Sequence, residues 1–170
     1  MPNWITGSLK LRGKYDNILN FFENGLNIYE HHCDADTGET IETVRNKADW
    51  LNIEGFDEDG SRACEITIGD HWVYIEGTKR AFVSGSPCIF LEETDDPCIA
   101  SMEVNQAWGF RPEDFLHIAE KYNLDIRLWG LEAGMGFGQE IVIENGELVK
   151  DETMTYEDFQ WEAPLPWFGG

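Results

Sequence analysis

Residues 99–149, IASMEVNQAWGFRPEDFLHIAEKYNLDIRLWGLEAGMGFGQEIVIENGELV, decide how the fold of this chain is read. Ile99 to Val104 alternates as a strand. Pro112 then sits where a helix begins, because its missing N–H costs nothing at the first helical position. Phe115, Leu116, Ile118, Ala119 and Tyr122 follow at helical spacing. Leu124 to Trp129 alternates again. Gln139–Ile143 and Glu147–Val149 flank Asn145-Gly146, a dipeptide that readily takes the positive φ values of a two-residue hairpin turn. The pattern is β-α-β-β, and it reads as one half of a ferredoxin-like sheet.

Working outward, Trp4 to Arg12 alternates as a strand, with Ile5, Leu9 and Leu11 on one face. Asp16 offers an N-cap for a helix through Glu23, and Gly25 offers a stop. Residues 30–50 read as a long connection with one short helix near Glu42–Trp50, and Glu54–Gly60 as an exposed acidic turn. Ala63–Ile68 and Trp72–Ile75 read as strands joined at Gly69-Asp70, with Ala81–Val83 continuing the sheet. Cys88–Leu91 is a short apolar segment, and Glu92–Pro97 a second acidic loop. The expected fold class is α+β: a ferredoxin-like antiparallel sheet with helices packed on one face, with two fused β-α-β-β units as one arrangement. Residues 1–150 form one domain in this reading, with halves at 1–86 and 87–150. Residues 151–170 form a tail of acids interleaved with aromatics.

The composition bounds the function. Among 170 residues, 33 acids stand against 12 Lys and Arg, a formal charge of −21. Chains this acidic are commonly disordered and poor in aromatics. This one is 42% hydrophobic with seven Trp, ten Phe and five Tyr, enough for a core. Residues 81–170 hold eighteen acids and four bases; residues 1–80 hold fifteen and eight. Gripping a phosphate backbone takes clustered Lys and Arg, so unaided binding to nucleic acid or to an anionic membrane is not expected. No apolar run approaches the ~18 residues of a membrane span. Met1-Pro-Asn does not open a signal peptide. The four cysteines, Cys33, Cys64, Cys88 and Cys98, form no CxxC pair. These features together lead us to expect reduced thiols in the cytoplasm of a bacterial host.

Several short motifs carry a resemblance. Met1-Pro2-Asn3-Trp4 runs into a strand and a Phe-containing helix, Gly77-Thr78-Lys79 follows, Ala107-Trp108 precedes Pro112, and Glu132-Ala-Gly-Met-Gly-Phe137 precedes an Ile/Val-rich strand. In these the chain resembles the YubB ferredoxin-like family of phage, plasmid and conjugative-element proteins. It departs from the family at Arg80, where Trp is expected, and at Gly109-Phe110-Arg111, where Ser-Pro is expected. The resemblance implies a ferredoxin-like fold and a mobile-element origin, and no particular activity.

The candidates for chemistry are few. His31-His32-Cys33-Asp34-Ala-Asp36 concentrates metal-ligand types, but the second ligand pair of a zinc site is missing. Asp34–Gly38 and Asp57–Gly60 have Gly at the wrong offset for a calcium loop, with no Glu at its twelfth position. Gly130, Gly134, Gly136 and Gly138 lack the Lys-Ser/Thr of a phosphate loop and read as a turn between strands. No metal and no cofactor is expected. His31, His32 and His71 are the acid–base candidates for a small nuclease that cleaves guide RNA or other RNA of a defence complex, and His117 falls within the helix.

What remains is acidity in three clusters. These are Glu54, Asp57, Glu58 and Asp59; Glu92, Glu93, Asp95 and Asp96; and Asp151, Glu152, Glu157, Asp158 and Glu162, the last with Trp161 as an aromatic anchor. A small domain stays soluble with a net charge of about 2–8, so −21 exceeds that need. Carboxylates displayed on a rigid surface can occupy a channel built for nucleic acid. The leading expectation is a non-enzymatic counter-defence protein, of anti-CRISPR or antirestriction type, that blocks the basic groove of a host nuclease such as Cas9. The alternatives are the small nuclease and a non-enzymatic accessory of conjugation.

Overall fold

The computed structural model describes residues 3–33, 39–58, 60–70, 72–94 and 97–155, with only the backbone at Glu58. In chain order the elements are β1 (Trp4–Gly13), α1 (Tyr15–Asn24), β2 (Leu26–Asn27), β3 (Tyr29–Cys33), β4 (Thr40–Val44), a 3-10 turn (Lys47–Asp49), β5 (Leu51–Glu58) and β6 (Ser61–Ile68). They continue with β7 (Trp72–Ile75), β8 (Ala81–Ser84), β9 (Cys88–Glu92), β10 (Cys98–Ala107), α2 (Pro112–Tyr122), β11 (Asp125–Glu132), β12 (Phe137–Glu144) and β13 (Glu147–Thr155). Eight strands form one antiparallel sheet in the order β13-β12-β11-β1-β10-β8-β7-β2. β5-β6-β9 form a second sheet, and β3-β4 a hairpin.

Local signals in the sequence explain the central strands and both helices. β1 buries Ile5, Leu9 and Leu11 and leaves Lys10 exposed, as its alternation requires. Gly7 lies opposite Gly130 where β1 meets β11, and a Cβ there would stand 2.2 Å from the Trp129 carbonyl oxygen. Only glycine allows that approach. α1 ends where the Gly25 N–H donates to the Phe21 carbonyl, while Asp16 sits in the first turn with Lys14 at the N-cap position. α2 begins at Pro112 and ends at Asn123, whose left-handed conformation closes the helix. Asn145 and Gly146 take φ of 53° and 77° between β12 and β13, as a two-residue hairpin turn demands.

The ferredoxin-like α+β expectation is corrected. Among the described residues strand makes up 59% and helix 17%, and the sheet has eight strands rather than the four of a ferredoxin-like unit. The fold is mostly β. The misreading lies in residues 26–92, taken as connections and a few short strands. Residues 30–50 form the β3–β4 hairpin and a single 3-10 turn, with no α-helix at Glu42–Trp50. The supposed acidic turn 54–60 is mostly strand, because β5 pairs with β6 as far as Glu58 opposite Ser61. β6 and β7 exist, but they do not pair across Gly69-Asp70. The Gly69 N–H donates to the Trp50 carbonyl, and the chain crosses from one sheet to the other. Two fused β-α-β-β units are not formed either, since β6 pairs with β9 across an intervening excursion into the large sheet.

One contiguous core joins these layers. Phe21 and Phe22 of α1 and Phe115 and Ile118 of α2 enter it, and Phe21 meets Tyr122 edge-to-face at 5.5 Å. The β5-β6-β9 sheet contributes Cys64, Ile66, Ile68, Ile89 and Leu91 from its inner face. Among the described residues no helix is long and apolar enough to cross a membrane.

Candidate functional site

The outer face of the β5-β6-β9 sheet is the candidate. With a period of two, the residues opposite the core side of β6 are Ala63, Glu65 and Thr67. Register places Glu54 directly across from Glu65 on one side and Phe90 across from Glu65 on the other. Phe56 and Glu92 lie likewise on either side of Ala63. Glu54, Glu65 and Glu92 are all exposed, and among the described residues none of them has an ion-pair partner. Phe56 and Phe90 sit between the carboxylates with ring centroids 5.7 Å apart. They remain 42% and 51% exposed, although Ile89 and Leu91, on either side of Phe90, are buried. Two large rings held in water among three unpaired carboxylates form a surface with the composition of an interaction face.

The cross-strand pairing of Glu54 with Glu65 is unfavourable in itself, because like charges directly opposite one another destabilise a sheet. The fold does not need it. Arg62, on the same strand, turns the other way. Its guanidinium donates two hydrogen bonds to Glu93, at 2.7 and 2.8 Å, reaches Asp16 at 3.1 Å, and lies over the Tyr15 ring. The hydrogen bond from Arg62 holds the Glu93 carboxyl below the usual carboxylate range. Glu93 is thereby ion-paired, and the same guanidinium links it to Asp16 of α1.

The structure therefore sorts the acidic clusters foreseen in the sequence. Glu54 from the first and Glu92 from the second, some forty residues apart, come together through β6 on one face. Asp57 lies opposite Arg62 on the inner side of β5, and Glu58 ends that strand. Asp151 and Glu152 are on β13, the edge of the large sheet, where Glu152 meets Lys150 at 2.8 Å. They do not join the first two clusters. Asp59, Asp95, Asp96, Glu157, Asp158, Trp161 and Glu162 lie outside the described residues. Glu65, Phe56 and Phe90 escaped the sequence reading. Glu65 was legible, since a polar residue between Cys64 and Ile66 in an alternating strand must face out.

Among the described residues the histidines do not assemble an acid–base pair. His31 and His32 are consecutive on β3, so their side chains leave opposite faces of the strand, and both are exposed. His31 lies 3.7 Å from Glu42 and His32 3.5 Å from Glu30, each with its own carboxylate. His71 is outside the described residues, and His117 is exposed on α2. Among the described residues no group of three His, Cys, Asp or Glu side chains converges closely enough to hold a metal ion.

The motifs behind the resemblance make joints of the fold. The Thr78 hydroxyl donates to the Ile75 carbonyl at 2.6 Å. The Lys79 N–H donates to the buried Asp114 carboxylate at 2.8 Å, which ties this turn to the start of α2. The buried Glu132 carboxylate accepts from the Gly134 and Met135 N–H groups and closes the turn before β12. Compared with known proteins, the chain matches no family model, no curated protein and no solved structure.

Proposed function

We propose that this is a non-enzymatic counter-defence protein of a mobile genetic element, of anti-CRISPR or antirestriction type, acting in the bacterial cytoplasm. It occupies the basic nucleic-acid groove of a host nuclease such as Cas9 and blocks its function. The observation that carries the reading is the outer face of the β5-β6-β9 sheet, with Glu54, Glu65 and Glu92 unpaired around Phe56 and Phe90. A hydrogen-bonded sheet holds the carboxylates at fixed spacing, so little ordering cost remains when a basic surface meets them. The phenylalanines supply apolar contact, and the charge of −21 speeds encounter with a positively charged groove. The mobile-element setting comes from the resemblance to the YubB ferredoxin-like family.

Phage or plasmid protection in cells carrying an active nuclease tests the proposal. Wild-type protein should protect, and the triple variant Glu54→Gln, Glu65→Gln, Glu92→Gln should lose most of that protection while remaining folded. Undiminished protection by this variant would show that the face is not used. No protection by the wild type against any nuclease of this class would leave the conjugation accessory as the better account.

A further inference from the structure

A second face of the molecule carries a different kind of site. The side of the large sheet that bears Thr6 and Ser8 of β1 also bears, toward the β2 edge, a run of aromatic rings in edge-to-face contact. Trp4 meets Trp72 at 5.1 Å, Trp72 meets Phe82 at 5.4 Å, Phe82 meets Tyr74 at 5.6 Å and Tyr74 meets Tyr29 at 5.6 Å. Successive rings are inclined by 61–70°, so they wall a space instead of stacking shut. The β3–β4 hairpin stands beside them, and between the two lies a cleft of about 480 Å³, the size of a small-molecule site.

Two carboxylates stand among the polar groups of this cleft. Glu76 and Glu42 both line it. Glu76 is held in place by the Asn27 side-chain amide at 2.6 Å and the Tyr29 hydroxyl at 2.5 Å, and both donate to Oε1, leaving Oε2 unengaged by either. That bond to Glu76 is the main reason the Tyr29 phenol is pushed up to about 12. Two basic side chains are close to the cleft, and the Arg80 guanidinium already lies over the Trp4 ring at that end of the aromatic run. His31 lines the cleft beside Glu42, and the Lys47 ammonium, within the field of Glu76, donates to the Glu23 carbonyl. Trp72 is 46% exposed, so its ring is open to a ligand.

Aromatic faces attract a cation through their quadrupole, and a carboxylate at the rim adds a charge that water screens little inside a cleft. We propose that this cleft binds an organic ammonium group, held against Trp72, Tyr74 and Phe82 with Glu76 and Glu42 as its counter-charges. The site is separate from the acidic sheet face and does not depend on the function proposed for that face. The ammonium can belong to a free small molecule or to a lysine side chain, and the two are separable by experiment.

Saturation-transfer NMR on the whole protein tests it, with choline as the free cation, Nα-acetyl-lysine amide as the side chain, and 3,3-dimethylbutan-1-ol as the neutral match to choline. All samples are held at one ionic strength. One or both cations should give signal and the neutral alcohol none, with the stronger cation naming the source. Trp72→Ala should abolish the signal, and Glu76→Gln should weaken binding about tenfold. Equal signal from the neutral alcohol, signal that survives Trp72→Ala, or no signal from either cation would overturn the proposal. Since Trp72 is already half in water, its loss should leave the far-ultraviolet circular dichroism unchanged, which separates a lost site from a lost fold.

Discussion

Glu65 gives up stability that the fold does not ask of it. It faces Glu54 across a strand pair, with no ion-pair partner for either among the described residues, where glutamine or lysine would fit the same exposed position. Replacing it with Lys should therefore raise stability by about 0.2–1 kcal/mol, seen as a higher denaturant midpoint, while lowering affinity for a basic partner. A loss of both together would mean that Glu65 serves the fold. Gly7 makes the opposite case. A Cβ at that position would meet the Trp129 carbonyl oxygen and the Gly130 Cα, both backbone atoms that cannot swing aside. Gly7→Ala should cost about 3 kcal/mol and show as a lowered unfolding midpoint. The two residues also differ in how far sequence reveals them. The outward direction of Glu65 follows from alternation alone, whereas the need for Gly7 arises from a partner strand more than 120 positions away.

Several strands and turns with a local cause were legible, though the β3–β4 and β5–β6 hairpins were not. The β12–β13 hairpin, the start of α2 and the alternation of β1 all follow from neighbours in sequence. The pairing of β6 with β9 does not, because Gly69-Asp70 looks like a hairpin turn and only the Trp50 carbonyl and the second sheet redirect the chain. This is also why Glu54 and Glu92 read as two separate loops. Within the large sheet, Glu140 on β12 joins Arg127 of β11 and Lys150 of β13. Burial pushes its carboxyl upward, yet hydrogen bonds from Lys150 and Arg127 outweigh burial and hold it below the usual range. A carboxyl depressed in the folded state stabilises the fold above its unfolded pKa, and that contribution is lost as pH falls through the folded value. Glu140→Gln should cost about 1 kcal/mol at neutral pH, a difference that shrinks below about pH 4 and vanishes in stronger acid. Denaturant titrations of both proteins across that range check it; a gap that persists in acid would remove the ion pair as its cause.

At the scale of the whole molecule, the charge of −21 acts in opposite directions on folding and on binding. Like charges on a compact surface repel, so added salt should raise the thermal midpoint by screening them. Salt should weaken capture of a basic partner for the same reason. The fold class was misread because residues 26–92 were taken as connections and a few short strands, although they build a hairpin and a complete small sheet. The same segment places three carboxylates and two phenylalanines on one rigid face, so correcting the fold also relocated the site. The direct test is the affinity of the purified protein for a Cas9–guide RNA complex, measured from about 0.05 M to about 0.5 M salt. Wild type should bind with affinity that falls at least about tenfold over that range. The variant Glu54→Lys, Glu65→Lys, Glu92→Lys should bind about a hundredfold more weakly at low salt. Equal affinity and an equal salt slope for the two proteins would contradict the account.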